Sequence, residues 1–288
     1  MPEFIDAHGI AIVYDVYPAE TTDPRGVVQL LHGVGEHAGR YARLAGALAE
    51  AGYIVYADDH RGHGRTGLKQ HGGDHSQLGR LGPGGMPATR DAVWQFTELI
   101  RDAHPDLPLI LLGHSWGSFL AQMLLNRHPD AYDAVVLSGS ALLWPGSLNP
   151  GDLNAPWAGK GATGAEWLSS DPDVGRDFLE DPLTTLTPLR KLFGLVDSAR
   201  LFERPSRGLA ETAGRDIPML LMVGRDDTVG GPRSVHRLAA AYRERSGLAD
   251  VTTLVYPDAR HEIFNETVQA EVRADLLAWL NARFPARG

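Results

Sequence analysis

Cysteine is missing from this chain of 288 residues. Its absence excludes disulfide bonds, a catalytic thiolate and cysteine-ligated zinc. Acidic residues outnumber basic ones, which gives a formal net charge of −9 at pH 7. A nucleic-acid-binding surface needs an excess of positive charge, so we expect no nucleic-acid partner.

Long apolar runs are missing as well. Nowhere do about 18 apolar residues follow one another, so the sequence predicts no transmembrane helix. Residues 1–6 carry early acids and lack the apolar stretch of a secretory signal, and we therefore expect a soluble, cytoplasmic protein. The hydrophobic content of 43% and charged content of 22% are ordinary for a globular protein. The length suits one large α/β domain or one domain with an insertion.

The most informative stretch of the sequence lies between residues 109 and 127. The Leu- and Ile-rich run at 109–112 is typical of a strand buried on both faces. Residues 118–127 carry apolar side chains at helical spacing, which predicts a helix. Between them stands Gly113-x-Ser115-x-Gly117, the pattern of a nucleophile elbow, in which a strained serine projects above a sheet. The sequence therefore predicts Ser115 as a nucleophile, with unpaired N–H groups of the following helix facing any anion beside it.

Short apolar runs alternate with helical patterns along most of the chain. The predicted strands are an opening antiparallel hairpin, residues 4–5 and 10–16, and the runs 27–31, 54–57, 109–112, 134–137, 219–223 and 251–256. The other predicted helices lie at 44–49, 93–100, 234–242 and 268–279, with a loop at 69–85. Strands that alternate with helices predict an α/β fold with a mostly parallel central sheet flanked by helices.

The alternation stops between residues 143 and 216. This segment has no candidate buried strand, and its short apolar clusters indicate helices. We predict a mainly helical lid that is inserted into the core. The expected division is a first core part, the lid and a second core part, at residues 1–142, 143–216 and 217–288. Trp144, Trp157 and Trp167 either pack the core of the lid or line an acyl pocket.

A serine hydroxyl becomes a strong nucleophile only with a base and an acid that orients the base. In a fold with a nucleophile elbow, the acid and the histidine follow the serine in that order, on loops after the last strands. His261 follows the strand at 251–256 and is predicted as the base. Asp226 and Asp227 compete for the acid position after the strand at 219–223, and the spacing favours Asp227.

An oxyanion hole needs two N–H donors that face the same point. The loop after the strand at 27–31 contains Gly33 and Gly35, which let the backbone approach a substrate closely. The sequence predicts that the backbone N–H groups of Val34 and Trp116 together hold the oxyanion.

Two other patterns resemble a dinucleotide site and a metal site, but the residues around them argue against both. Residues 62–67 match G-x-G-x-x-G, yet residues 68–73 are unsuited to opening the apolar helix that a dinucleotide site requires. Two histidine pairs are surrounded by glycines and lack the rigid helical presentation of a metal site, namely His60/His63 and His71/His75. We expect no cofactor and no metal, and we interpret residues 59–64 as a turn that braces a loop.

With these segments in place, the sequence resembles the α/β-hydrolase superfamily and, within it, the monoacylglycerol lipase and lysophospholipase branch. The resemblance covers nearly the whole chain outside the lid. It depends on residues 32–41, 59–64, 113–117 and 261–262. It implies a serine hydrolase without a cofactor that acts on a lipid ester.

The resemblance also implies contacts for the alcohol part of the substrate. In monoacylglycerol lipases the residues that match Glu36, Arg40 and His114 lie around the polar end of the pocket that receives glycerol. The alternative for Glu36 and Arg40 is an ion pair that stabilises their loop. Two positions depart from the family: Trp116 replaces a smaller or flexible residue and is expected to narrow the acyl entrance, and Ser118 stands where glycine is common.

The predicted function is hydrolysis of carboxylic esters through an acyl-Ser115 intermediate, with a monoacylglycerol as the favoured substrate. The alternatives are a lysophospholipase, a general carboxylesterase, a peptidase on the same fold, and a non-catalytic protein that binds a ligand under the lid. The apolar content of the lid predicts transient contact with a membrane or lipid aggregate. The sequence does not indicate an oligomeric state.

Overall fold

Eight strands form one sheet in the computed structural model, which describes residues 1–286. In spatial order they run β1-β2-β4-β3-β5-β6-β7-β8. The strands are β1 Glu3–Ile5, β2 Ala11–Tyr17, β3 Gly26–Leu31, β4 Tyr53–Asp58, β5 Leu109–His114, β6 Ala134–Ser138, β7 Met219–Gly224 and β8 Val251–Tyr256. The pairings β1–β2 and β2–β4 are antiparallel, whereas all the others are parallel.

The central strands are buried along their whole length. Every residue of β3, β5, β6 and β7 is buried, because helices cover both faces of the parallel part of the sheet. This burial on both faces explains why the sequences of these strands are apolar runs. The predicted opening hairpin is confirmed by the pairing of Phe4 with Ile12.

Helices lie on both sides of the sheet. They are α1 Ala42–Glu50, α2 Gly64–Gln70, α3 Gly85–Ala103, α4 Trp116–Arg127, α5 Pro172–Glu180, α6 Leu189–Ala199, α7 Leu209–Ala213, α8 Gly231–Glu244 and α9 Gln269–Arg283. One apolar cluster packs α3, α4 and α8 against the sheet, and a second packs α1 and α9 against its other face. The predicted α/β fold with a mostly parallel sheet between helices is therefore confirmed.

The region around residues 64–85 differs from the prediction. The predicted loop at 69–85 starts too early, because α2 begins at Gly64 and ends at Gln70. The hydroxyl of Thr66 on this helix accepts a hydrogen bond of 2.8 Å from the N–H of Val13 in β2. A contact with a distant strand, rather than an apolar period, stabilises this short helix. A 3-10 helix at His75–Gln77 interrupts the remaining loop, and α3 begins at Gly85, earlier than its periodicity indicates.

The segment between β6 and β7, residues 139–218, is called the cap segment below. Its regular elements are a 3-10 helix at Ala155–Trp157 and the helices α5, α6 and α7. A small apolar cluster of its own contains Ala165, Leu168 and Phe178, with Trp167 packed against it. The domain boundaries given from the sequence stay a prediction. Among the described residues, no helix is long and apolar enough to span a membrane.

Candidate active site

Ser115 lies at the turn between β5 and α4. It is the one non-glycine residue with positive φ among residues 1–286, with φ 52° and ψ −123°. A Cβ on Gly113 would lie 2.6 Å from the carbonyl oxygen of Gly117, and a Cβ on Gly117 would lie 2.3 Å from that of Leu31. Both flanking positions therefore exclude any larger residue, and the strained serine backbone has the geometry of a nucleophile elbow.

The other predicted triad residues lie at the same edge of the sheet, because β5, β7 and β8 are parallel and end together. Nδ1 of His261 lies 3.0 Å from Oδ2 of Asp227, and both side chains are buried. The other carboxylate oxygen of Asp227 accepts a hydrogen bond of 2.8 Å from the N–H of Val229. Asp226 is exposed, and no hydrogen bond joins its side chain to His261 among the described residues.

The environment of His261 favours its protonated form. Burial lowers the pKa of its imidazole, but the charge of Asp227 and its hydrogen bond act in the opposite direction, as do the charges of Glu262 and Glu36. The result is a pKa above the ordinary value for histidine. Nε2 of His261 is buried and has no hydrogen-bond partner among the described residues. A buried polar atom without a protein partner needs an explanation, and a catalytic role is one such explanation.

His114, the residue before Ser115, packs beside His261. The rings of His114 and His261 are 4.7 Å apart between centroids. A Cβ on Gly33 would lie 3.1 Å from Cβ of Ser115 and 3.5 Å from Cδ2 of His114, and a Cβ on Gly139 would contact both imidazoles. The loop after β3, the elbow and the loop after β8 thus meet at one point, where Ser115 is only 8% exposed.

The predicted oxyanion donors lie on two of these segments. Val34 follows Gly33 in the loop after β3, and Trp116 is the first residue of α4. Within residues 1–286, neither of the two backbone N–H groups donates to a protein acceptor. Both are free to bind an anion, and their assignment as an oxyanion hole stays a prediction.

The indole of Trp116 is fully buried. Its ring packs against His63 and His60, with centroid separations of 4.9 Å and 5.6 Å, and against Phe193 of α6 at 5.0 Å. The side chain therefore contacts the cap segment through Phe193. Narrowing of the acyl entrance by this indole stays a prediction.

Ser118 makes two hydrogen bonds that glycine would lack. Its hydroxyl lies 2.5 Å from the carbonyl oxygen of Ser115 and 2.7 Å from Oγ of Ser140. The departure from the family pattern thus adds a contact that holds the first turn of the elbow helix.

Glu36 and Arg40 form the ion pair that was the alternative prediction for them. Nη1 of Arg40 lies 2.8 Å from Oε2 of Glu36 and 2.6 Å from Oε1 of Glu262. Arg40 also lines a polar cleft of about 540 Å³ between the core and α5. Nδ1 of His114 lies 3.2 Å from Oγ of Ser138, and burial keeps the pKa of His114 well below its usual value. Contact of any of these groups with an alcohol stays a prediction.

Glu262 is the functional candidate that sequence reasoning passed over. It belongs to residues 261–262, which carry part of the family resemblance, and its adjacency to the predicted base was the available signal. Its partner Arg40 lies 222 positions earlier in the chain, a separation at which sequence spacing gives no guidance.

Residues in and beside the G-x-G-x-x-G match and the histidine pairs make hydrogen bonds within the protein. Asp59 accepts hydrogen bonds from the backbone N–H of Ala38 and of Arg65, which agrees with a turn that braces a loop. His60 is paired with Asp58 at 2.7 Å. Among the described residues, no group of His, Asp or Glu side chains has the arrangement of a metal site.

The sheet order, the elbow and the paired imidazole and carboxylate define the class of the protein as an α/β-hydrolase. Residues 22–268 match the Hydrolase_4 family, described as serine aminopeptidase, S33. The chain belongs to this family.

Individual relatives agree with the family match. A monoacylglycerol lipase of Mycolicibacterium smegmatis is 37% identical over 294 residues, which are 96% of this chain and 95% of that protein. The crystal structure of a thermostable carboxyl esterase from Bacillus coagulans, in complex with glycerol, superposes with a TM-score of 0.83 at 27% identity, over 98% of each chain. A monoacylglycerol lipase from Paleococcus ferrophilus gives a TM-score of 0.68 at 25% identity, over 94% of this chain and 99% of that one. The chain is a serine ester hydrolase of this family.

Proposed function

We propose that the chain hydrolyses monoacylglycerols to fatty acid and glycerol through an acyl-enzyme on Ser115. The observation that carries the proposal is the state of His261. Its Nδ1 is bound to a buried carboxylate, and its Nε2 is buried and has no partner among the described residues, at the edge of the sheet where the strained serine also lies. An imidazole held in this way is suited to take a proton from a hydroxyl.

The proposed reaction proceeds in two halves. Ser115 attacks the ester carbonyl while His261 takes its proton, and Asp227 keeps the imidazole in the required tautomer and stabilises its positive form. The N–H groups of Val34 and Trp116 hold the tetrahedral oxyanion. His261 then protonates the departing glycerol, and a water molecule, activated by the same imidazole, releases the fatty acid.

The charge around the site favours a neutral alcohol over a phosphodiester head group. Arg40 is predicted to lie at the polar end of the substrate pocket. It is already bound by two carboxylates, Glu36 and Glu262. The excess negative charge of this group would repel a phosphodiester, whereas it would not repel glycerol, which is uncharged. The names of the relatives from Mycolicibacterium smegmatis and Paleococcus ferrophilus support the same substrate class.

Two measurements test this function. Labelling with a fluorophosphonate should modify wild-type protein and spare Ser115→Ala, and the same variant should lose ester hydrolysis by several orders of magnitude. Absence of labelling in the wild type would favour a ligand-binding protein instead. A panel of glycerides, short-chain esters and lysophosphatidylcholine then tests the substrate, and faster turnover of lysophosphatidylcholine than of monoacylglycerol would overturn the assignment.

The proposal includes transient contact of the cap segment with lipid aggregates. Within residues 1–286, five of the nine large apolar side chains that are exposed lie in the cap segment, although it is a minor part of the chain. They are Trp144, Leu179, Leu195, Val196 and Phe202. Concentration of exposed apolar groups on one segment is typical of an interaction surface.

The double variant Leu195→Ser/Val196→Ser tests this contact. These side chains are 68% and 66% exposed, so their replacement should leave the fold intact and weaken binding to vesicles of phosphatidylcholine that contain monoolein. Ile5→Ser, at an exposed apolar residue outside the cap segment, is the control and should bind as the wild type does. Equal vesicle binding by the double variant and the wild type would refute the contact.

A further inference from the structure

A buried chain of ionic contacts joins the two loops on either side of the candidate nucleophile. It consists of Glu36, Arg40 and Glu262, called the ionic bridge below. Arg40 contacts both carboxylates through Nη1, and its Nη2 lies 2.8 Å from Oε2 of Glu262. The Arg40–Glu262 pair is thus bidentate, the geometry that fixes the relative orientation of the two groups most strongly.

One end of the ionic bridge holds the predicted oxyanion loop. Oε1 of Glu36 accepts a hydrogen bond of 2.7 Å from the N–H of Gly33 and another of 2.7 Å from the hydroxyl of Tyr41. Gly33 immediately precedes Val34, whose N–H is a proposed oxyanion donor. The orientation of that donor is therefore set in part by the carboxylate of Glu36.

The other end holds the loop that carries the predicted base. Glu262 follows His261 directly, and its Oε2 also accepts a hydrogen bond of 3.1 Å from Asn265. Its backbone N–H donates to the carbonyl oxygen of Leu168 in the cap segment at 2.7 Å. With its side chain and backbone both engaged, Glu262 leaves the neighbouring His261 little freedom to move.

Stability alone is a weak reason for this arrangement. One guanidinium stands between two carboxylates with side chains only 4% exposed, so the group carries an excess negative charge in a poorly solvated place. Such groups often contribute no more to folding than apolar residues of the same size would. The cost of burying these charges affects Glu36, whose pKa is raised because burial penalises the charged form of its carboxyl.

We propose that Glu262, acting through Arg40 and Glu36, is a positioning residue that sets the distance and orientation between the oxyanion loop and the catalytic histidine, and that the excess negative charge of the ionic bridge stabilises the imidazolium. This inference rests on the proposed serine hydrolase function. The residue does not touch the substrate and acts through His261 and Val34.

The charge effect on His261 has a predictable sign. Three carboxylates raise the pKa of its imidazole, namely Asp227 from the loop after β7, Glu262 from its own loop and Glu36 from the loop after β3. His114 from β5 packs against the ring, and the cation Arg40 lies between Glu36 and Glu262. Trp167 of the cap segment packs on the ring and is uncharged. Removal of the Glu262 charge leaves Arg40 paired with one carboxylate, so the stabilisation of the imidazolium weakens and the pKa of His261 falls.

Glu262→Gln tests the inference on a soluble short-chain ester. We expect kcat to fall by up to about 100-fold, the loss that a small misplacement of reacting groups produces, while KM stays within about twofold. Because catalysis needs neutral His261, the acidic limb of the kcat/KM profile should also move to lower pH. Glu262→Asp keeps the charge and should keep the position of the limb, although its shorter side chain should not restore kcat fully.

Glu266→Gln is the matched control. Glu266 is a buried carboxylate on the same loop, but it binds Ser170 and the backbone N–H of Arg260 and takes no part in the ionic bridge. Its replacement should leave the acidic limb in place. A shift of the limb in Glu266→Gln equal to that in Glu262→Gln would overturn the inference, as would a wild-type kcat and pH profile in Glu262→Gln.

A triple variant covers the case in which Glu262→Gln does not fold. Glu36→Gln/Arg40→Met/Glu262→Gln leaves no unpaired buried charge, so its fold should survive. We expect reduced kcat with an unchanged melting temperature, and wild-type kcat in this variant would overturn the inference. Failure of the inference is distinct from failure of the proposed function, because only the latter abolishes fluorophosphonate labelling of wild-type Ser115.

Discussion

Asp227 and Asp226 stand side by side in the chain, and exchanging each for asparagine separates their roles. In Asp227→Asn the side-chain oxygen can keep the hydrogen bond from the N–H of Val229, so the amide NH₂ group takes the place of Oδ2, 3.0 Å from Nδ1 of His261. An NH₂ group donates and does not accept. It therefore stabilises the tautomer with the proton on Nε2, which is unable to take a proton from Ser115.

The size of the effect follows from this change of tautomer. Loss of the orienting carboxylate in a triad lowers kcat by about 10⁴-fold, or about 5 kcal/mol of transition-state stabilisation. Asp226→Asn, at an exposed neighbour, should stay within about twofold of the wild type. Steady-state hydrolysis of a chromogenic ester, with thermal melting of each variant, gives the comparison. Equal losses in the two variants, or a larger loss in Asp226→Asn, would refute the assignment of Asp227.

Three further predictions concern the residues around the triad. The raised pKa of His261 implies that kcat/KM rises with pH through a pKa above about 6.5, because only the neutral imidazole accepts the proton; a midpoint below that value contradicts this. Ser118→Gly removes the hydroxyl that binds the Ser115 carbonyl and should cost about 1 kcal/mol of unfolding free energy. Urea denaturation measures this cost, with Ser76→Gly in the exposed 3-10 helix at His75–Gln77 as control. Phe193→Ala removes the ring that packs on Trp116 and should destabilise the protein by about 3 kcal/mol; an unchanged melting temperature would show that this contact carries no stability.

The elements that sequence analysis predicted correctly have local causes. The run at 109–112 is apolar because β5 is buried on both faces, and the glycines beside Ser115 are required by backbone approaches below 3 Å. The positions of Asp227 and His261 follow from the order of parallel strands, since loops after parallel strands meet at one edge. These signals depend on a few neighbouring residues or on topology, and both are readable in a single sequence.

The features that sequence analysis missed depend on partners far along the chain. Helix α2 has no apolar period, and its contact with β2 reaches from Thr66 to Val13. The pairing of Arg40 with Glu262 spans 222 positions. The pattern at Glu36 and Arg40 left open whether these side chains bind an alcohol or each other, because spacing shows that two groups lie close and does not show a third group between loops.

Two side chains of the cap segment contact the ionic bridge and the predicted base. Phe178 of α5 lies over the guanidinium of Arg40 at 4.7 Å, and the ring of Trp167 lies 5.0 Å from that of His261. Both contacts exclude water from the ionic bridge and the imidazole, and exclusion of water strengthens the attraction between the carboxylates and the imidazolium. Burial by itself lowers the basicity of His261, so the attraction of the surrounding carboxylates has to exceed this cost for the imidazolium to be favoured beside the cap segment.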